Sequence, residues 1–127
     1  MYESFSGDEQ RVRILVVDDN QALASLLKVM LEDENEVMLA QDSHEGYFTY
    51  LSFRPDLIIT DIQMPGRNGL EMMETIRGHN PEVRAIYISG SLEQFQSHLK
   101  VEMTRYRVGI LQKPFSRNEL IKLLSQV

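Results

Sequence analysis

Five short runs rich in Val, Ile and Leu punctuate the chain, at residues 13–17, 36–40, 57–61, 84–88 and 109–112. Each has the length of a strand. Between them, apolar residues recur at helical spacing. Leu23, Leu26, Leu27, Met30 and Leu31 fall at i, i+3, i+4, i+7 and i+8, which predicts one buried helical stripe. Phe48 and Leu51 repeat the pattern more weakly, as do three further sets: Leu70, Met73 and Ile76; Leu92, Phe95, Leu99 and Met103; and Leu120, Leu123, Leu124 and Val127. Start signals accompany these stretches. Ser91 with Gln94 and Ser116 with Glu119 have capping-box spacing, and Asn20, Ser43 and Asn68 are N-cap residue types.

Five strands therefore alternate with five helices. The strands are too apolar to face water on either side, so the alternation predicts an α/β domain, a doubly wound five-stranded parallel sheet with helices on both faces. In such sheets ligands gather beyond the carboxyl ends of the strands. Chemistry is to be sought there.

With 127 residues the chain has length for one domain. Residues 1–10, MYESFSGDEQ, are polar and acidic, without the basic start and apolar stretch of a secretory signal, and read as a flexible leader before a domain at 11–127. The pattern leaves no space for an output domain. A net charge of −6 disfavours direct binding to nucleic acid or anionic membranes. No apolar run approaches the roughly 20 residues that span a bilayer. The chain has no cysteine, which excludes disulfides and thiolate chemistry, and cytoplasm is the expected compartment.

The first strand ends in Val17-Asp18-Asp19-Asn20 and the third in Asp61. If those strands are neighbours, three carboxylates converge, and their repulsion calls for a cation. All-oxygen ligation suits Mg²⁺ better than zinc, and no cluster of His or Cys competes. After Asp61 the loop Ile62-Gln63-Met64-Pro65-Gly66-Arg67-Asn68-Gly69 carries turn-forming residues. The fourth strand runs out at Ser89-Gly90 and the fifth at Lys113-Pro114-Phe115. Alone, each is an ordinary cap or a solvated charge. Together, carboxylates, a hydroxyl and a cation at four strand ends are what phosphoryl transfer needs, because charge on the moving oxygens must be neutralised.

DD after strand one, DxxMPxxxG after strand three, Ser after strand four and KPF after strand five resemble the response-regulator receiver domains of two-component signalling. The resemblance covers about residues 11–127 and implies the flavodoxin-like strand order 2-1-3-4-5. It implies that Asp61 takes a phosphoryl group from a phosphohistidine on a sensor histidine kinase or phosphotransfer protein. It further implies that Asp18, Asp19, Asp61 and the Gln63 carbonyl hold Mg²⁺, Asp18 largely through water. Lys113 would pair with a phosphoryl oxygen, and the Ser89 hydroxyl would move to another. The Lys113-Pro114 peptide is expected to be cis. The altered face would control an output partner, a phosphorylation-dependent homodimer being one form, with no independent small-molecule turnover.

The chain departs from that pattern at Ile110, where the family commonly has Tyr or Phe, and at residues 103–108, which lack the small Gly-Ala turn often found before strand five. Tyr106 is expected in the preceding loop. Gln63 and Ser91 stand where the family lines the path of hydrolytic water. His44, His79 and His98 lack mutual ligand spacing and read as surface residues, Met72, Met73 and Met103 as packing, and Lys100, Arg105 and Arg107 as solvated charges. The alternatives are a degenerate receiver that only binds partners, which Ile110 leaves open, an aspartyl-phosphate phosphatase, for which no cap domain fits, and a flavodoxin-like carrier, whose phosphate Asp18 and Asp19 would repel.

Overall fold

The computed structural model describes residues 11–127. The leader expected at 1–10 lies outside the described residues. The strands are β1 (Val12–Val17), β2 (Asn35–Ala40), β3 (Leu57–Asp61), β4 (Arg84–Ser89) and β5 (Val108–Gln112). They alternate with α1 (Gln21–Leu31), α2 (Ser43–Phe53), α3 (Gly69–His79), α4 (Gln96–Arg105) and α5 (Arg117–Gln126), and a 3₁₀ turn, Leu92–Phe95, precedes α4. All strand pairs are parallel, in the order β2-β1-β3-β4-β5. The doubly wound fold and its strand order are as expected.

Side-chain alternation divides the core. Leu15, Val17, Ile58, Ala85 and Tyr87 face a layer built by α2, α3 and α4, with Tyr50, Phe53, Met73, Ile76 and Leu99. Ile14, Val16, Ile59, Ile86 and Ile88 face α1 and α5, with Leu27, Leu31 and Leu120. Every residue of β3 is buried, which is why it opens on the apolar run Leu57-Ile58-Ile59 with no in-out alternation.

The helix starts follow local chemistry. Asn68 and Ser116 each make a complete capping box, with Glu71 and Glu119, and the Asn20 side chain caps α1. Two expected starts differ. Asp42, not Ser43, caps α2, because its carboxylate reaches the Glu45 N–H and Ser43 is drawn into the first turn. Ser91 makes no side-chain cap; its carbonyl instead accepts from the Gln94 N–H, closing the 3₁₀ turn.

The helical stripes are also narrower than the spacing implies. On α1 the buried residues are Ala24, Leu27 and Leu31, whereas Leu26 is half exposed. A helix lying on one flank of a sheet hides only about 100° of its surface, and Leu26 falls beyond it. For the same reason Phe48 and Met103 are exposed, so Met103 is not core packing. Met72 and Met73 are. No helix among the described residues is long and apolar enough to cross a membrane.

Candidate phosphoacceptor site

The strand order makes β1 and β4 the neighbours of β3, with Val17 beside Thr60 and Asp61 beside Ile88. Residues one step beyond these pairs consequently meet at one edge. Asp18, Asp19 and Asp61 each present a carboxylate oxygen within 4.8 Å of the others. The expectation that rested on β1 lying next to β3 is met.

Asp18 is 1% exposed and Asp61 6%. One Asp18 oxygen accepts the Asn20 N–H at 2.8 Å, and Oδ2 is buried with no hydrogen-bond partner. Burial pushes the Asp18 carboxyl above its usual range, assisted by the Asp61 and Asp19 charges and opposed by the Asn20 N–H and Lys113. Asp19 is exposed. An orphaned buried carboxylate oxygen beside two further carboxylates fits a hard divalent cation, which would satisfy it and relieve the repulsion.

Lys113 follows β5 and is held by its own N–H, which donates to the Ser89 carbonyl at 2.9 Å. Its Nζ lies 3.0 Å from Asp61 Oδ2 and 3.8 Å from Asp18 Oδ2. The Lys113-Pro114 peptide is cis. Ser89 is fully buried at the end of β4, and its hydroxyl accepts the Ser91 N–H at 2.9 Å. Gln63, two residues past Asp61, is exposed, and its side-chain amide donates to Gln94 at 3.3 Å. The six residues singled out in the sequence thus lie at one end of the sheet.

The loop after Asp61 is anchored close to it. The Gly69 N–H donates to the Ile62 carbonyl at 2.8 Å, and a Cβ at Gly69 would collide with the Asp61 carbonyl oxygen and with Thr60 Oγ1. Gly66 takes φ +81°, the left-handed region that glycine enters without penalty. These two glycines bring the start of α3 against the end of β3.

Sequence reasoning missed a second polar group on the α3–α4 side. Tyr87 is wholly buried, its hydroxyl donates to Glu102 Oε1 at 2.6 Å, and Arg77 pairs with the same oxygen. Nothing in the spacing of three residues on α3, β4 and α4 joins them. Tyr106 caps α4 as expected of a loop residue, but its ring lies 3.7 Å from the Arg77 guanidinium carbon. His44, His79 and His98 are exposed, as are Lys100, Arg105 and Arg107. Ile110 is half-buried and lines a groove of about 500 Å³ with Leu92, Leu99 and Met103.

The family described as the response regulator receiver domain matches residues 14–125. The chain is similar to the chemotaxis protein CheY of Halobacterium salinarum, 29% identical over 118 residues that cover 91% of this chain and 95% of that one. It is also 29% identical over 115 residues to the DNA-binding response regulator MtrA of Mycobacterium tuberculosis, covering 90% of this chain and 49% of MtrA. It spans 32% of the transcriptional regulatory protein YesN of Bacillus subtilis. Among solved structures, the Vibrio cholerae chemotaxis protein CheY4 superposes with a TM-score of 0.81 at 28% identity, covering 92% of this chain and 98% of that one. With the acidic cluster, the Lys-Pro end of β5 and this strand order already in place, the chain belongs to the response regulator receiver domains of two-component signalling.

Proposed function

We propose that the chain is a phosphoacceptor switch in which Asp61 takes a phosphoryl group from a phosphohistidine of a sensor kinase or phosphotransfer protein. The observation that carries this reading is the setting of the Asp61 carboxylate, with Lys113 Nζ at 3.0 Å and carboxylate oxygens of Asp18 and Asp19 within 4.8 Å. An Asp61 oxygen attacks phosphorus as the phosphorus–nitrogen bond breaks; the electron pair of that bond stays on the ring nitrogen, and the imidazole departs neutral because its other nitrogen already carries a proton. The product is an acyl phosphate.

Asp18, Asp19 and Asp61, with the Gln63 carbonyl, would hold Mg²⁺, which supplies positive charge to the phosphoryl oxygens. Lys113 pairs with one phosphoryl oxygen. The Ser89 hydroxyl turns from the Ser91 N–H to donate to another, and that exchange couples the new charge to β4. Population then shifts toward an arrangement that an output partner reads. The chain turns over no small molecule of its own and works in the cytoplasm. The −6 net charge argues against direct contact with DNA by this domain, whatever longer relatives such as MtrA do.

The test is intact mass after incubation with acetyl phosphate and Mg²⁺. The wild type is expected to gain one base-labile phosphoryl group, and Asp61→Asn none. A wild type that stays unmodified overturns the reading and leaves a receiver that only binds partners.

A further inference from the structure

Arg77, in the last turn of α3, is a cation with a side chain only 3% exposed. Its Nε and Nη2 approach Glu102 Oε1 at 3.3 and 3.2 Å, and its Nη1 donates to the Val83 carbonyl at 2.8 Å. Tyr87 on β4 donates its hydroxyl to the same Glu102 oxygen, and the Tyr106 ring covers the guanidinium. Burial, followed by the Glu102 hydrogen bond and charge, holds the Tyr87 hydroxyl protonated. The Glu102 carboxylate therefore joins Arg77 on α3 to Tyr87 on β4, and Arg77 extends the link to the loop before β4 and to Tyr106 at the end of α4.

The other end of α4 is held differently. The preceding 3₁₀ turn has no side-chain cap and no fully buried residue, only Leu92 and Phe95 packed partly against the core and an exposed Gln63–Gln94 hydrogen bond, and Leu99 is the one buried residue of α4 itself. Gly90, between that turn and Ser89, is exposed, and a Cβ added there would meet nothing within 4 Å. Tyr87 and Ser89 are two residues apart on one strand, so their side chains share a face. A displacement begun at Ser89 thus meets a fixed group on one side and a lightly held turn on the other.

We infer that Glu102, Arg77 and Tyr87 form a clamp that fixes the second half of α4 to α3 and β4, and that conformational change coupled to Asp61 is confined to residues 90–96. The clamp stands on geometry alone, and the confinement rests on Asp61 being the phosphoacceptor. Arg77 is buried and Glu102 part-buried, and in such a pair removing one partner is costly because it leaves the other charge uncompensated.

Amide hydrogen exchange on the full chain tests this, in the wild type, Glu102→Gln and Tyr87→Phe, with urea unfolding confirming that each variant is folded. Without phosphodonor, the amides of residues 101–107 are expected to exchange at least about tenfold faster in Glu102→Gln, and by a smaller factor in Tyr87→Phe, while those of β1 and β3 stay unchanged. With acetyl phosphate and Mg²⁺, wild-type exchange is expected to change in residues 90–96 only, and in Glu102→Gln the change spreads to 101–107. Equal exchange of 101–107 in wild type and Glu102→Gln overturns the clamp. A donor-induced change in wild-type 101–107 as large as that in 90–96 overturns the confinement. Intact mass on the same samples separates the two ideas: without an adduct the acceptor reading and the confinement fall together, and the donor-free comparison still decides the clamp.

Discussion

Lys113 Nζ sits 3.0 Å from Asp61 Oδ2, joining the ends of β5 and β3 across the intervening β4. The ammonium is the cation that stands against two buried carboxylates, Asp61 and, at 3.8 Å, Asp18. Its position also suits a phosphoryl oxygen on Asp61.

Replacing that cation should therefore damage the chemistry more than the fold. Lys113→Met is expected to slow phosphoryl uptake from acetyl phosphate by about 100-fold, the scale of losing one preorganised charge at a transition state. Circular dichroism should show the fold retained. Uptake at the wild-type rate would remove Lys113 from the mechanism.

Asp18 gives a pH dependence with a definite sign. Burial raises its folded-state pKa above the unfolded value of 3.8, so the native chain binds its proton more tightly. Its contribution is most favourable below 3.8, falls as pH rises through the folded pKa, and is a full penalty above it. Asn cannot titrate. In a chelator, the stability of Asp18→Asn relative to wild type should therefore grow from about pH 3.5 to about pH 7, read as the gap between urea midpoints. Mg²⁺ should narrow the gap at neutral pH, and a gap constant with pH would contradict the assignment.

Gly69→Ala and Gly109→Ala separate two kinds of crowding. At Gly69 the new methyl meets the Asp61 carbonyl oxygen, backbone that cannot yield without moving Asp61. At Gly109 it meets Leu123 and Val127 side chains at 2.8 to 2.9 Å, groups near the end of α5 that can turn aside. Thermal unfolding should show a cost of about 3 kcal/mol for Gly69→Ala and about 1 kcal/mol for Gly109→Ala. Only the former should also slow phosphoryl uptake.

Arg77→Met leaves the Glu102 carboxylate with Tyr87 as its remaining donor in a part-buried site, an expected loss of about 2 to 3 kcal/mol in urea unfolding. Adding Glu102→Leu should recover part of it, because the uncompensated charge is gone. A double variant no more stable than the single would mean that packing, not charge, holds the group.

Much of the candidate site was legible because it is local. A residue at the end of a strand is marked by the run before it, and Asp18, Asp19, Asp61, Ser89 and Lys113 all stand there. The N-cap at Asn68 and the capping box at Ser116 were legible for the same reason, since their partners lie three residues away. At Ser91 the spacing misled, because Gln94 turns its side chain to Gln63, 31 residues away. Leu26 and Met103 match helical stripes yet face outward, because periodicity identifies a face without saying how much of it a neighbour covers.

Alternation of apolar runs and helical stripes determined by itself a parallel sheet with covered faces, and the residues at its carboxyl edge. Which strands flank β3 is not in that pattern and came only with the family resemblance; the tertiary structure sets β1 and β4 beside it, which brings Asp18 and Lys113 to Asp61. It also decided that Arg77 and Tyr87 meet at one part-buried oxygen of Glu102. The physical reason is that pattern along a chain reports which side of an element avoids water, whereas a contact between elements depends on which surfaces fit together once every apolar side is covered.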